Sequence, residues 1–143
     1  CDVTNDILPI DDSVADVVFC KSVIEHIYLF QLKHFFSEMK RITKSGGYIL
    51  ISTPDWEYNI KQYYRDFTHC TPYTQQSLKH CLEIYGLEKV SIYSLIPLPS
   101  TWNSHTMRII SNMINFLSFP RSWGKWFKWS QARQVIAWGQ VHK

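Results

Sequence analysis

The sequence has 143 residues, 45% hydrophobic and 19% charged, with a net charge of +3. That is long enough for one domain with its own core and too apolar for a disordered chain. No apolar run approaches the roughly 20 residues of a membrane-spanning helix, and Cys1-Asp2-Val3 lacks the basic start and apolar middle of a signal peptide.

In chain order, Cys1-Asp2-Val3 reads as the end of a strand, and the expectation is a piece whose N-terminal part is missing. Ala15–Cys20 is a short apolar run without alternation, the pattern of a strand buried on both faces. A helix is predicted over Phe30–Thr43, because Leu32, Phe35, Phe36, Met39 and Ile42 follow the 3.6-residue period with Lys33, Ser37, Lys40 and Arg41 opposite. Gly46-Gly47 is read as its left-handed stop. A second strand, Tyr48–Thr53, is closed by Pro54. Strand, helix, strand over about 40 residues predicts a right-handed βαβ unit with a parallel sheet.

Residues 54–73 read as a long polar and aromatic loop of the kind that usually serves function. Thr74 is predicted to cap a helix with Leu78, Cys81, Leu82 and Tyr85 as its buried stripe and Gly86 as its stop. Lys89–Ile96 is predicted as a strand with Val90, Ile92 and Ser94 on one face, broken by Pro97 and Pro99. Thr106–Phe119 is predicted helical, Pro120–Arg133 is read as a Trp- and Lys-rich connection, and Gln134–His142 as a last strand.

The charge is unevenly spread along these elements. Residues 1–88 hold eight Lys/Arg against twelve Asp/Glu, whereas residues 89–143 hold seven Lys/Arg and no acid. Five of the six tryptophans (Trp102, Trp123, Trp126, Trp129 and Trp138) share that basic part. The asymmetry points to an anionic or interfacial partner for the C-terminal region. The four cysteines form no CxxC pair, which favours reduced thiols in a cytoplasmic protein.

Taken together, Asp2, Leu8-Pro9, the Ala-Asp-Val-Val strand, Glu25-His26, the Glu38/Arg41/Lys44/Gly46/Gly47 helix exit and the Thr53-Pro54 strand end carry a family likeness. In this order they resemble the second half of class I S-adenosylmethionine-dependent methyltransferases, closest to the ubiquinone and menaquinone biosynthesis branch. The resemblance covers residues 1–96 and 134–143, leaving 97–133 as a helical, Trp- and Lys-rich insertion. It implies an α/β Rossmann-like fold, mostly parallel with an antiparallel last strand. It also implies transfer of a methyl group from S-adenosylmethionine to a small-molecule, lipid or glycan acceptor. The family's glycine-rich loop is not among Gly46, Gly47, Gly86, Gly124 and Gly139. The activity is therefore expected of a full-length parent, with the fragment alone inactive. The competing expectation is a non-catalytic binding module that docks on a membrane or partner through its basic aromatic segment.

By the same resemblance, Asp2 accepts from the adenine amino group and the Val3 N–H meets the ring. Cys20, Lys21 and Ser22 line the methionine end through their backbone, with Lys21 turned to solvent. A loop cap is the lesser alternative for Asp2. His26 and His69 are the candidates for a base or substrate contact, since imidazole titrates in the useful range; each could equally be a hydrogen-bonded structural histidine. Some relatives hold a divalent ion with Glu-x-x-Glu-His and a later His. Glu25, His26 and His69 match that pattern, but Ser22 stands at the first Glu, so no metal is expected and this triad is the alternative. Otherwise Glu25 is read as a helix-start carboxylate. Arg121–Trp129 alternates cations with aromatics. It is read first as a cap over the substrate pocket, then as a contact with an anionic membrane surface, and least as a nucleic-acid platform.

Overall fold

The computed structural model describes residues 1–117 and 123–143. Four strands, β1 (Ala15–Lys21), β2 (Thr43–Pro54), β3 (Leu87–Leu95) and β4 (Gln134–Val141), form one sheet in the order β1-β2-β4-β3. β1 and β2 are parallel, and β4 runs antiparallel to both β2 and β3. Three strands thus share one direction and the last opposes them, as the resemblance implies for a Rossmann-like methyltransferase fold.

Helix α1 (Leu32–Ile42) connects the parallel pair and buries all five of its apolar stripe residues. Helix α3 (Gln75–Ile84) begins at Thr74, whose side chain accepts the Ser77 N–H at 3.2 Å, and it ends at Gly86 with φ +79°. Leu78 and Leu82 of α3 join Ile49 and Ile51 of β2 and Val135, Ala137 and Val141 of β4 in the core. Cys81 and Tyr85 are only half-buried, Tyr85 stacking on Phe36 at 4.5 Å.

Four expectations are corrected. β1 is not buried on both faces: Val17 and Phe19, on the face opposite the buried Cys20, are 55% and 56% exposed. α1 stops before the glycines, since Thr43 is already extended and its N–H caps onto the Met39 carbonyl. Gly46, at φ +82°, instead serves a register shift within β2. The stretch 54–73 contains helix α2 (Trp56–Tyr63), started by Asp55, whose carboxylate accepts the Glu57 N–H at 3.2 Å. The connection after residue 120 contains a short helix α5 (Lys125–Ser130). Helix α4 (His105–Phe116) lies where a helix is predicted; the last two positions of that prediction, 118 and 119, fall outside the described residues.

Candidate functional site

The site lies where β1 and β2 end at the carboxyl edge of the sheet, the edge at which open α/β sheets bind ligands. β1 leaves the sheet through Ser22, held at φ +52°, with its N–H donating to the Ser52 carbonyl at 2.7 Å. A left-handed conformation at a non-glycine residue costs about 1–2 kcal/mol, and such strain concentrates where geometry matters. One 3₁₀ turn, Ile24–His26, follows.

That turn is stitched to the segment after α2. The Glu25 carbonyl accepts the N–H groups of Cys70 and Thr71 at 2.9 and 3.1 Å, and the Thr71 hydroxyl donates to the Ile27 carbonyl at 2.8 Å. These bonds bring His69 edge-on to His26, with ring centroids 4.7 Å apart. Tyr63, at the end of α2, packs on the other side of His69 at 4.5 Å and donates its hydroxyl to the Thr71 carbonyl. Burial pushes the Tyr63 phenol well above its ordinary pKa, so it stays a neutral donor.

His26 is oriented through a third residue. The Thr68 hydroxyl donates its single proton to Asp66 Oδ1 at 2.5 Å and lies 2.9 Å from His26 Nδ1. It can therefore only accept from the Nδ1–H of His26, which leaves the Nε2 of the neutral ring with its lone pair. The hydrogen bond from Thr68 holds Asp66 below its ordinary pKa and so keeps it ionised. The second Asp66 oxygen is 3.9 Å from His69 Nε2.

Glu25 stands in the first turn of that 3₁₀ helix, as read. It is fully buried, and its Oε2 accepts from the Thr53 hydroxyl at 2.9 Å. Glu25 Oε1 and His69 Nδ1 are buried without a hydrogen-bond partner. One ligand atom each from Glu25, His26 and His69 lies within 4.8 Å of the others. Two bonds of about 2.1 Å span at most about 4.2 Å, so a small side-chain movement would let the three close on one ion. One carboxylate and two imidazoles suit zinc or a transition metal better than magnesium.

The residues expected at the cofactor behave differently from one another. Asp2 caps its own turn, accepting from Thr4 N–H, the Thr4 hydroxyl and the Asn5 amide at 2.8, 2.7 and 3.0 Å. The bonds from Thr4 hold it below its ordinary pKa. An ionised carboxylate has about four lone-pair positions, so one remains for a ligand donor on Oδ2. Val3 packs against the core. Cys20 is buried, with its thiol pushed up to about 11 by desolvation, and Lys21 is exposed.

Thr53, Thr68 and Tyr63 are the site residues that sequence reasoning missed. Thr53 had a signal: it shares the period-2 parity of Ile49 and Ile51, both fully buried, and so is a polar group on the inward face at a strand's carboxyl end. Thr68 and Tyr63 sit in a stretch read as loop and carry no periodic signal.

The family profile of the methyltransferase domain matches residues 5–92, and the chain belongs to that family. S-adenosylmethionine is the cofactor of class I methyltransferases with this fold. A SAM-dependent methyltransferase from Archaeoglobus fulgidus superposes with TM-score 0.64 at 21% identity, over 98% of this chain and 66% of that one. Haemonchus contortus phosphoethanolamine N-methyltransferase 2, solved with S-adenosyl-L-methionine, gives 0.59 at 16% identity over 99% and 36%. Geranyl diphosphate C-methyltransferase from Streptomyces coelicolor gives 0.58 at 15% over 99% and 51%. The chain thus spans from about a third to about two thirds of the length of these structures. No curated protein sequence matches it.

Proposed function

We propose that the full-length protein transfers a methyl group from S-adenosylmethionine to a small-molecule acceptor, with His26 as the base or acceptor contact. The observation that carries this is the His26–Thr68–Asp66 chain, which fixes the tautomer leaving Nε2 free. Bound S-adenosylmethionine supplies an electrophilic methyl on a sulfonium, ready for in-line displacement. Much of the rate then comes from holding the acceptor in line. His26 Nε2 takes the acceptor's proton where the nucleophile carries one, and the resulting imidazolium keeps its Nδ1–H on Thr68. His69 packs edge-on against the His26 ring, and Tyr63 packs against His69. Two of the similar structures, a phosphoethanolamine and a geranyl diphosphate methyltransferase, take small-molecule acceptors, which supports that acceptor class. The test is calorimetric titration of S-adenosylmethionine into the full-length parent. Binding is expected, and none at millimolar ligand rejects the reading.

A second reading places this enzyme at a membrane surface, its acceptor then being a lipid or glycan-lipid. No described helix is long and apolar enough to cross a membrane. However, α4 turns Met107, Ile109, Ile110 and Met113 to solvent, and Phe116 is 87% exposed, while Ser111 and Ile114 face inward. This i, i+3, i+4 stripe, with Arg108 on the same helix, is the pattern of an interfacial helix. Arg121, the first residue of the basic aromatic segment, lies outside the described residues, so α4 carries the reading. Sedimentation with anionic vesicles tests it: M113E and I109E are expected to abolish co-sedimentation, and unchanged binding rejects it.

A further inference from the structure

Among the described residues, three Lys/Arg side chains form salt bridges. Arg41 pairs with Asp12 and Glu38, Lys44 with Asp16 and Lys79 with Glu83. Three others converge without one. A cavity of about 320 Å³ opens between α2, α5 and the start of β4, with Arg65, Lys128 and Arg133 in its lining beside Asn59, Gln62 and Trp129. No acidic residue lines it, and none of the three cations forms a salt bridge among the described residues.

Arg133 is the fixed point. It is buried, with Nη1 donating to the Ser130 and Ala132 carbonyls at 3.0 and 3.1 Å and Nη2 donating to Asn112 Oδ1 at 2.7 Å. Its guanidinium lies 5.5 Å from the Tyr58 ring centroid. Asp55 gives it electrostatic support but no ion-pair contact. The wall itself is tied down, because the Asn59 amide donates to the Arg133 carbonyl at 2.8 Å. Arg65 and Lys128 are exposed and movable, Lys128 lying 5.6 Å from the Trp129 ring centroid.

Carbonyls, Asn112 and the Tyr58 ring already satisfy much of the Arg133 guanidinium, but like charges gathered around one cavity still repel one another. Arg65 and Lys128 are exposed and share the lining of this cavity with Arg133. An anion filling the cavity removes the conflict: Arg and Lys together are suited to a phosphoryl group, with apolar walls from Pro54 and Trp129.

We propose that this cavity binds the phosphoryl group, a phosphate or diphosphate, of the methyl acceptor. The acceptor role rests on the methyltransferase reading above, whereas anion binding does not. Helix α2 links the two places, since Gln62 lines the cavity while its neighbour Tyr63 packs on His69. An acceptor anchored by its anionic end lies along α2 from the histidine pair.

The probe is inorganic pyrophosphate, titrated calorimetrically into the full-length protein and into the R65A/K128A double variant. Both side chains are exposed, so the fold is expected to survive, and circular dichroism checks it. Pyrophosphate is expected to bind, more weakly as salt rises, and to lose at least tenfold in affinity in the variant. No binding to the native protein, or equal binding to a folded variant, overturns the site. A parallel arm uses phosphatidic acid vesicles. Vesicle binding that pyrophosphate displaces and the variant loses identifies a lipid headgroup as the phosphoryl source. Vesicle binding indifferent to both, with no pyrophosphate bound, overturns the proposal in favour of a surface contact. S-adenosylmethionine is titrated into the same samples. Its binding without pyrophosphate binding overturns the anion site and leaves the methyltransferase; the reverse result keeps the anion site and removes its acceptor role.

Discussion

Thr68 takes a hydrogen bond from His26 Nδ1 at 2.9 Å and passes its own proton to Asp66 at 2.5 Å. A hydroxyl has one hydrogen, so this order of donation fixes which nitrogen of His26 is free. On the proposed role of His26, Thr68 acts by positioning that ring. In T68V the order is lost while the exposed site tolerates the change. A fall in kcat of about 10- to 100-fold is expected, below the 10²–10⁴ range for loss of a base outright, with little change in Tm. T68S restores the hydroxyl and is expected to recover most of the rate. The same fall in T68S as in T68V would assign Thr68 a packing role only.

Thr53 and Glu25 make a different kind of pair, because both are fully buried. Glu25 has one hydrogen-bond donor, the Thr53 hydroxyl, and its other oxygen has no partner. Removing that donor in T53V leaves a buried carboxylate unsatisfied, at a cost of about 1–3 kcal/mol or more for a charged group. E25Q keeps an oxygen for Thr53 and discards the charge, so it is expected to destabilise less than T53V, or to stabilise. Urea midpoints of the two variants decide this. A T53V midpoint equal to the native one would show that the carboxylate is relieved by another group.

Much of this fold was legible because its elements carry unambiguous periods. The stripe of α1 and the Thr74 cap with its Gly86 stop follow from residue spacing, whereas the antiparallel direction of the last strand came from the family resemblance. Helix α2 was not, because Trp56–Tyr63 is polar and aromatic all round and lacks an apolar stripe; only the Asp55 cap marks it. The exposure of β1 was illegible for another reason: periodicity reports which faces a strand could bury, and Val17 and Phe19 lie on a face left exposed among the described residues. His26 and His69 were chosen by their imidazole chemistry and by their place in the family resemblance. Their 4.7 Å approach depends on backbone bonds from Cys70 and Thr71 to Glu25, which no local pattern encodes.

Two glycines separate close approach from backbone conformation. A Cβ on Gly139 of β4 would stand 2.7 Å from Leu87 Cβ and 3.2 Å from Val90 Cγ2 in β3. G139A is therefore an overpacking change, expected to cost about 1–3 kcal/mol and to loosen β3 from β4. At Gly46 a Cβ meets only Gln140 Nε2, at 3.8 Å, but φ is +82°. G46A is expected to lose about 1–2 kcal/mol to left-handed strain alone, and G46N less, since Asn tolerates that region. Thermal denaturation orders the three variants. If G46N were as unstable as G46A, conformation would not be the cause.

Acid stability provides the last test, through Glu38 and Arg41. The Arg41 guanidinium, aided by the Leu8 N–H, holds the Glu38 carboxylate down at about 2 against an ordinary value of 4.5. Arg41 also donates to the Leu8 and Ile10 carbonyls and to Asp12, so the pair fastens residues 8–12 onto α1. A carboxyl whose pKa is depressed by folding stabilises fully above its unfolded value and loses that contribution as pH falls through the folded one. The window for Glu38 is therefore from about 4.5 down to about 2. Asp2 and Asp66, held below their ordinary values by bonds from Thr4 and Thr68, add to the same acid limb. The diagnostic is thus the difference between the native protein and E38Q. Between pH 6 and pH 3 the native urea midpoint is expected to fall more steeply than that of E38Q, and the two curves are expected to converge at the acid end. Parallel curves throughout would mean that Glu38 contributes no proton-linked stability and that Arg41 holds the 8–12 segment through its carbonyl and Asp12 contacts alone.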